Sequence, residues 1–188
     1  ANYLVAITPE SDLATEHPRE AGLVHRLDTE TSGLLVAAKN KIAYQSLRKQ
    51  FRHRSIYKEY RAVVLGQFGW EGTFAFNLAP SGKKGRRMKL VPLPNGKEAV
   101  SHYKVIAKGE ERSALRIIIK TGVRHQIRAH LSFLGFPISG DRLYGESGSS
   151  APRLCLHAHV IEFRQPTTGR SIRITDPLPD DFPTTTSG

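Results

Sequence analysis

Cysteine is nearly missing from this sequence: Cys155 is the only one in 188 residues. No internal disulfide can form, which suits a reducing compartment, and the cytoplasm is the expected location. Long apolar runs are missing as well. None approaches the roughly 18 residues that a membrane span requires, so no membrane association is expected. The first ten residues, ANYLVAITPE, contain no basic region followed by an apolar block and do not read as a signal peptide. They do not begin with Met either, and the chain reads as a piece whose beginning is missing. Acidic residues are the third shortage. Seventeen Asp and Glu face 28 Lys and Arg, for a net charge of +11 and a pI near 10.0. Such an excess favours a polyanionic partner, most often nucleic acid. A basic protein with no such partner is the plainer alternative.

What is present fits one folded domain, because a chain of this length buries a full core. The positive charge is clustered. SGKKGRRMK, residues 81 to 89, holds five basic residues, two glycines and no acid. It reads as a flexible loop, and a solvated charge run is its simplest explanation. Residues 40 to 52 place Ile42, Leu47 and Phe51 near helical spacing behind Asn40, a suitable N-cap. Strand-like runs follow at Ile56 to Leu65, Thr73 to Leu78, Val100 to Ala107 and Leu115 to Thr121. Residues 124 to 134 predict a second helix ended by Gly135, with Arg124 and Arg128 on one flank. Leu154 to Phe163 and Ser171 to Ile174 read as closing strands. Many strands and two helices predict an α+β fold with a mainly antiparallel mixed sheet. Residues 1 to 176 are expected to form the domain, and the Pro-rich residues 177 to 188 a surface tail ending in TTTSG.

Several chemistries are weak or fail on spacing. His157 and His159 face one side of a strand, and His125 and His130 offer two more imidazoles. No third ligand stands at a telling distance, so core or surface histidines are the better reading. GESGS at 145 to 149 lacks the last glycine of a nucleophile elbow. Gly96-Lys97 lacks the earlier glycine of a phosphate-binding loop. There remains Asp28, at the end of the apolar, strand-like Gly22-Leu23-Val24 run, with the hydroxyl residues Thr29, Thr31 and Ser32 expected to brace its turn. It suits two roles, a turn residue capping backbone N–H groups or a catalytic carboxylate.

The wider chain bears on that choice. HRLDTETSGLLVAAK, residues 25 to 39, resembles the HRLD-x-x-TSGLL-x-x-AK signature of the RluA-type pseudouridine synthases. KEYRAVVLG at 58 to 66 is similar to that family's K-x-Y-x-A strand. TGVRHQIRAHLSFLGFPISGDRLYG at 121 to 145 resembles its HQIR-x-H and GD-x-x-YG block, and LHAHVIEFRQPTTGR at 156 to 170 its LHA strand. The resemblance implies isomerisation of uridine in ribosomal or transfer RNA to pseudouridine. It puts the catalytic aspartate on Asp28, and on Tyr60 a tyrosine that lies against the uracil and helps remove the C5 proton. It puts the cation paired with the aspartate on Arg128, and on Arg26 an arginine that contacts RNA or fills the gap left by the flipped base.

The physics of those roles is consistent. A uridine must leave its stack to expose C1′, at a cost of a few kcal/mol. A planar cation such as Arg26 offsets part of it by stacking. A carboxylate in a closed pocket resists ionisation unless a cation lies within about 4–6 Å, the task assigned to Arg128. The rearrangement needs no redox cofactor and no metal. Lys83, Lys84, Arg86 and Arg87 of the basic stretch would hold RNA phosphates without reading sequence. A monomer acting on RNA is the expected form. Two departures from the family pattern stand out. Val123 occupies the usual place of an arginine, which has moved to Arg124, and the family's first strand, with its NKP-x-G motif, has no counterpart. The alternatives are a catalytically silent RNA-binding module of the same fold and a metal-dependent nuclease that uses the histidines.

Overall fold

The structure, a computed structural model, describes residues 21–69, 71–145 and 151–183. The ANYLVAITPE start, most of GESGS and the TTTSG end lie outside the described residues. Helix α1 is Lys41–Arg52 and helix α2 is Gln126–Phe133. The strands are β1 Ser32–Gly33, β2 Tyr57–Leu65, β3 Gly72–Ser81, β4 Arg87–Val91, β5 Lys97–Lys108, β6 Arg112–Ile119, β7 Leu156–Arg164 and β8 Ser171–Thr175. They join one sheet in the order β1-β7-β2-β6-β5-β3-β4, with β8 also on β7. Only β1 runs parallel to its neighbour; the other pairings are antiparallel. The α+β expectation with a mainly antiparallel mixed sheet therefore holds.

The sheet follows from side-chain alternation. Strand β6 buries Ser113, Leu115, Ile117 and Ile119 and turns the residues between them outward, the period of two that gives one core face. Ile127 and Leu131 of α2 pack on that face with Tyr60, Tyr103, Leu154 and Leu156. Helix α1 starts where expected, because the Asn40 side chain accepts from the Ala43 N–H at 2.9 Å. Its Leu47 packs on Val24 and Ala38, which fastens α1 to the segment that carries Asp28.

Three expectations need correction. SGKKGRRMK is not a loop throughout: Ser81 ends β3, Lys83–Gly85 form one 3-10 turn, and Arg87 to Lys89 lie in β4. The buried Met88 between exposed Arg87 and Lys89 gives that end a strand period that the charge run conceals. The second helix starts at Gln126, because His125 stands in the left-handed region at φ 53°. Arg124 thus precedes the helix and shares no flank with Arg128. Gly22 to Val24 form no named strand either; a single bridge joins Leu23 to Ala37, and Asp28 lies in irregular backbone.

Two imidazoles are spent on the interior. His130 is fully buried beside Ser101, Tyr103 and the Phe74 ring, and burial lowers its pKa to about 4. His25 accepts from the Val36 N–H at 2.9 Å and stacks on Phe51, and burial with nearby Lys58 lowers it to about 4 as well. Unfolding raises both toward the usual 6.5. The unfolded chain therefore binds protons that the folded one refuses, and stability falls as pH drops from about 6.5 to about 4. For His130 alone the loss between pH 7 and pH 5 amounts to roughly 1–2 kcal/mol. Urea unfolding at these two pH values should show the drop, and His130→Phe should reduce it. An equal drop in the variant would refute this assignment.

Candidate active site

The backbone around Asp28 is fixed from several sides. The Thr31 N–H donates to the Asp28 carbonyl at 3.0 Å and closes a turn. Next in the chain, β1 lies on β7, where the Leu34 N–H donates to the Ala158 carbonyl at 3.0 Å. Gly33, at φ +107°, makes that approach possible, since a Cβ there would meet the Ala158 oxygen at 2.3 Å. The Ser32 hydroxyl takes the Arg153 guanidinium and lies 2.9 Å from His157 Nδ1. The expected bracing by hydroxyls thus comes from Ser32. The Asp28 carboxylate, by contrast, accepts no backbone hydrogen bond among the described residues. Its nearest basic groups are the Arg128 guanidinium, with Nη1 at 3.6 Å, and the His125 imidazole, with Nε2 at 3.9 Å. The turn-capping role is not the one this side chain plays.

Arg128 is 3% exposed, and a guanidinium so placed must be paired. Its main partner is Asp141, itself fully buried, which accepts from Nε at 2.8 Å and from Nη2 at 2.7 Å. The same carboxylate accepts the Leu143 and Tyr144 backbone N–H groups at 2.9 and 3.0 Å. Gly140 is needed just before it, since a Cβ would overlap the Arg153 carbonyl. Glu30 adds a more exposed contact at 3.3 Å, and the guanidinium lies 5.4 Å over the Tyr144 ring. Arg128 thus reaches Asp28 as an arginine whose direction Asp141 has already set.

His125 joins the same unit. The Tyr144 hydroxyl accepts from the Met88 N–H at 2.6 Å and lies 3.0 Å from His125 Nδ1. When that hydroxyl donates to Nδ1, the ring proton resides on Nε2, facing Asp28. Burial lowers the His125 pKa, and the Asp28 charge only partly opposes it, so the ring is neutral at pH 7. Gln126 secures the turn ahead of α2: its side-chain carbonyl accepts from Thr121 Oγ1 and the Val123 N–H, and its amide donates to Val100 O and Ser101 Oγ.

Tyr60 comes from β2, where the pairing with β7 shifts register between Glu59 and Tyr60. Burial raises its phenol pKa, and the Asp28 charge raises it further, so it remains protonated. Glu59, the one carboxylate of this strand, is buried and is taken up by Arg61, Arg116 and the Tyr57 hydroxyl at 2.6–2.9 Å. Burial pushes its pKa up, but those partners outweigh it and hold it below the usual value.

Asp28, Tyr60, Arg128 and Arg26 line one cavity of about 110 Å³, with His125, Leu27 and Val123. Four sequence-predicted residues thus meet. Lys83, Lys84, Arg86 and Arg87 do not line it; they lie on the β3–β4 hairpin. Arg124 links the two, since its guanidinium donates to the Gly85 and Arg87 carbonyls while its side chain borders the cavity. Sequence reasoning missed Asp141, Tyr144 and His125 as site residues. The signal was present, since a buried arginine requires a carboxylate and the GDRLYG block supplies one. Among the described residues no group of three or more His, Cys, Asp or Glu could hold a metal. His157 and His159, the pair that suggested one, both engage Asp176.

This geometry makes Asp141 the support of the site. Asp141→Ala leaves a buried guanidinium without its main partner and should cost about 3 kcal/mol or more in urea unfolding. Glu30→Gln removes a half-exposed contact of the same arginine and should cost less than about 1 kcal/mol. Equal effects would contradict the ranking.

Comparison with known proteins agrees with the geometry. The family model described as RNA pseudouridylate synthase matches residues 4–133. Ribosomal large subunit pseudouridine synthase D of Pseudomonas aeruginosa is 38% identical over 177 residues, covering 86% of this chain and 54% of that protein. An uncharacterized RNA pseudouridine synthase of Chloroflexus aurantiacus is 40% identical over 184 residues, covering 96% and 57%. The solved structure of human RNA pseudouridylate synthase domain containing 1 superposes with a TM-score of 0.75 at 29% identity, covering 84% of this chain and 69% of that one. The chain spans about half the length of the curated relatives it matches. On these matches, and on the fold that accords with them, the chain belongs to the RNA pseudouridylate synthase family.

Proposed function

We propose that the chain is the catalytic domain of an RNA pseudouridine synthase, and that Asp28 is its catalytic carboxylate. The observation that carries this reading is the Asp28 side chain itself. It borders the cavity, accepts no backbone hydrogen bond among the described residues, and has Arg128 within 3.6 Å. In the reaction the N1–C1′ bond of an extruded uridine breaks and a C5–C1′ bond forms. C5 gives up its proton and N1 takes one, so the product is an isomer. The atoms balance without cofactor or metal. Arg128 favours the ionised carboxylate through each way it can act, whether on C1′, on the ring or on a sugar proton. Tyr60 packs against the uracil as a neutral phenol. Its raised pKa argues against direct removal of the C5 proton by a phenolate. Arg26, at the cavity rim, occupies the space the uridine leaves, and the hairpin cations hold phosphates.

The substrate is ribosomal or transfer RNA, and the ribosomal names of the relatives favour the first. A cytoplasmic setting suits one unpaired cysteine and that substrate, and no helix among the described residues is long and apolar enough to cross a membrane. We take the acting form to be a monomer.

Tritium release from RNA labelled at uracil C5 tests the reaction. The chain should release tritium in the presence of a chelator, and Asp28→Asn should lower the rate at least about 100-fold. RNA binding without release would favour the silent binding module, and chelator-sensitive strand cleavage the nuclease. For Tyr60 the expectation is graded. Tyr60→Phe, which keeps the ring, should release tritium faster than Tyr60→Leu; equal, strong losses in both would make the hydroxyl the active part.

A further inference from the structure

Beside the Asp28 cavity lies a larger cleft, of about 950 Å³, that the reading above leaves unused. The two are continuous: Arg26, Tyr60, Ile119, Gly122, Val123 and Arg124 line both. One wall of the cleft is the C-terminal end of α1 and the turn after it, with Arg48, Arg52 and Arg54. The other wall is the start of β5 and the segment after β6, with Lys97, Lys120 and Thr121. Lys58 lies between them. Among the described lining residues eight are cationic and one, Glu98, is acidic.

The eight cations are not equivalent. Arg48 donates to the Val24 carbonyl, Lys58 to the Thr121 carbonyl, and Arg124 to the hairpin. Arg54 pairs with Glu98 at 2.7 Å across the two walls, with both side chains about half exposed. Arg52, Lys97 and Lys120 are exposed and have no acidic partner among the described residues. Exposed cations on both walls of a concave cleft, without an acidic partner among the described residues, match a phosphodiester chain. The cleft opens from the cavity in which a uridine must already be extruded, so the chain that enters it is unpaired at that end.

We propose that the RNA strand on one side of the extruded uridine runs unpaired along this cleft, with its phosphates on Arg52, Lys97 and Lys120, and that it displaces Glu98 from Arg54. The assignment rests on the reading of the chain as an enzyme of RNA and adds the path of the strand. The Arg54–Glu98 pair spans the walls as a strap. An exposed pair of this kind contributes little, so a phosphate replaces it readily. The hairpin cations, which Arg124 ties to the cavity rim, then remain for RNA on the other side of Arg124.

The test is the salt dependence of binding to an unstructured, uridine-rich RNA of about twelve nucleotides, with Asp28→Asn in the background so that turnover does not intervene. Each lost phosphate contact should reduce the slope of log affinity against log salt by about 0.7. The triple variant Arg52→Ala/Lys97→Ala/Lys120→Ala should therefore lose about 2 in slope and bind at least about tenfold more weakly at low salt. Lys41→Ala/Lys104→Ala/Lys108→Ala removes the same charge away from the cleft and should retain most of the slope. Glu98→Gln should bind more tightly, because the Arg54–Glu98 pair no longer has to be broken; weaker binding would overturn the displacement. Equal losses in the two triple variants would overturn the cleft assignment and leave only diffuse charge. An equal loss for the same RNA annealed to its complement would overturn the unpaired strand. Tritium release by the chain with Asp28 intact separates the two readings. Release with no special effect of the cleft variants refutes the path alone; a cleft-specific slope without release refutes the catalytic reading alone.

Discussion

The buried pair of Arg128 and Asp141 is the interaction on which the site depends. A guanidinium 3% exposed is tolerated only because a fully buried carboxylate binds it through two nitrogens. That carboxylate also gathers the backbone of residues 143 and 144, which places Tyr144 under the guanidinium and beside His125. Helix α2, the turn before it and the GDRLYG loop thus form one polar unit against the sheet. Asp28 meets this unit from the far side, on a loop held by β1 and Ser32. Because the arginine's direction is set by Asp141, Asp28 keeps both oxygens for whatever enters the cavity.

Much of this was legible in the residues. The period of two in β6, the Asn40 cap and most of the strand segments follow from local pattern. Asp28, Tyr60 and Arg128 stood out because their blocks resemble a family signature, and the structure lines one cavity with them. What local pattern did not carry is tertiary. The left-handed backbone of His125 breaks a helix period that RHQIRAHLSFL suggests, since the turn before α2 is held from outside by Gln126. Asp141 was in view in the GDRLYG block, but local pattern does not assign it to Arg128, which lies 13 residues away and is joined to it only by folding. The basic run around Met88 read as a loop because five charges obscured one buried side chain in strand register.

Charge does two different jobs in this molecule. Near Asp28, acids and bases are matched, buried and directional. Around the cleft Arg52, Lys97 and Lys120 are exposed and have no acidic partner among the described residues, which is suited to a polyanion whose sequence is not being read. The net charge of +11 is thus in part the sum of the cleft and the β3–β4 hairpin, set on either side of Arg124.

The central claim is that a uridine in RNA is isomerised at Asp28. Nucleoside chromatography with mass analysis tests it most directly, on RNA incubated with the chain and then digested. The account requires uridine to be replaced by a nucleoside of identical mass whose base resists glycosidic hydrolysis, and requires that replacement to vanish with Asp28→Asn. Intact uridine in RNA that is nonetheless bound, or a new nucleoside that persists in the variant, would contradict it.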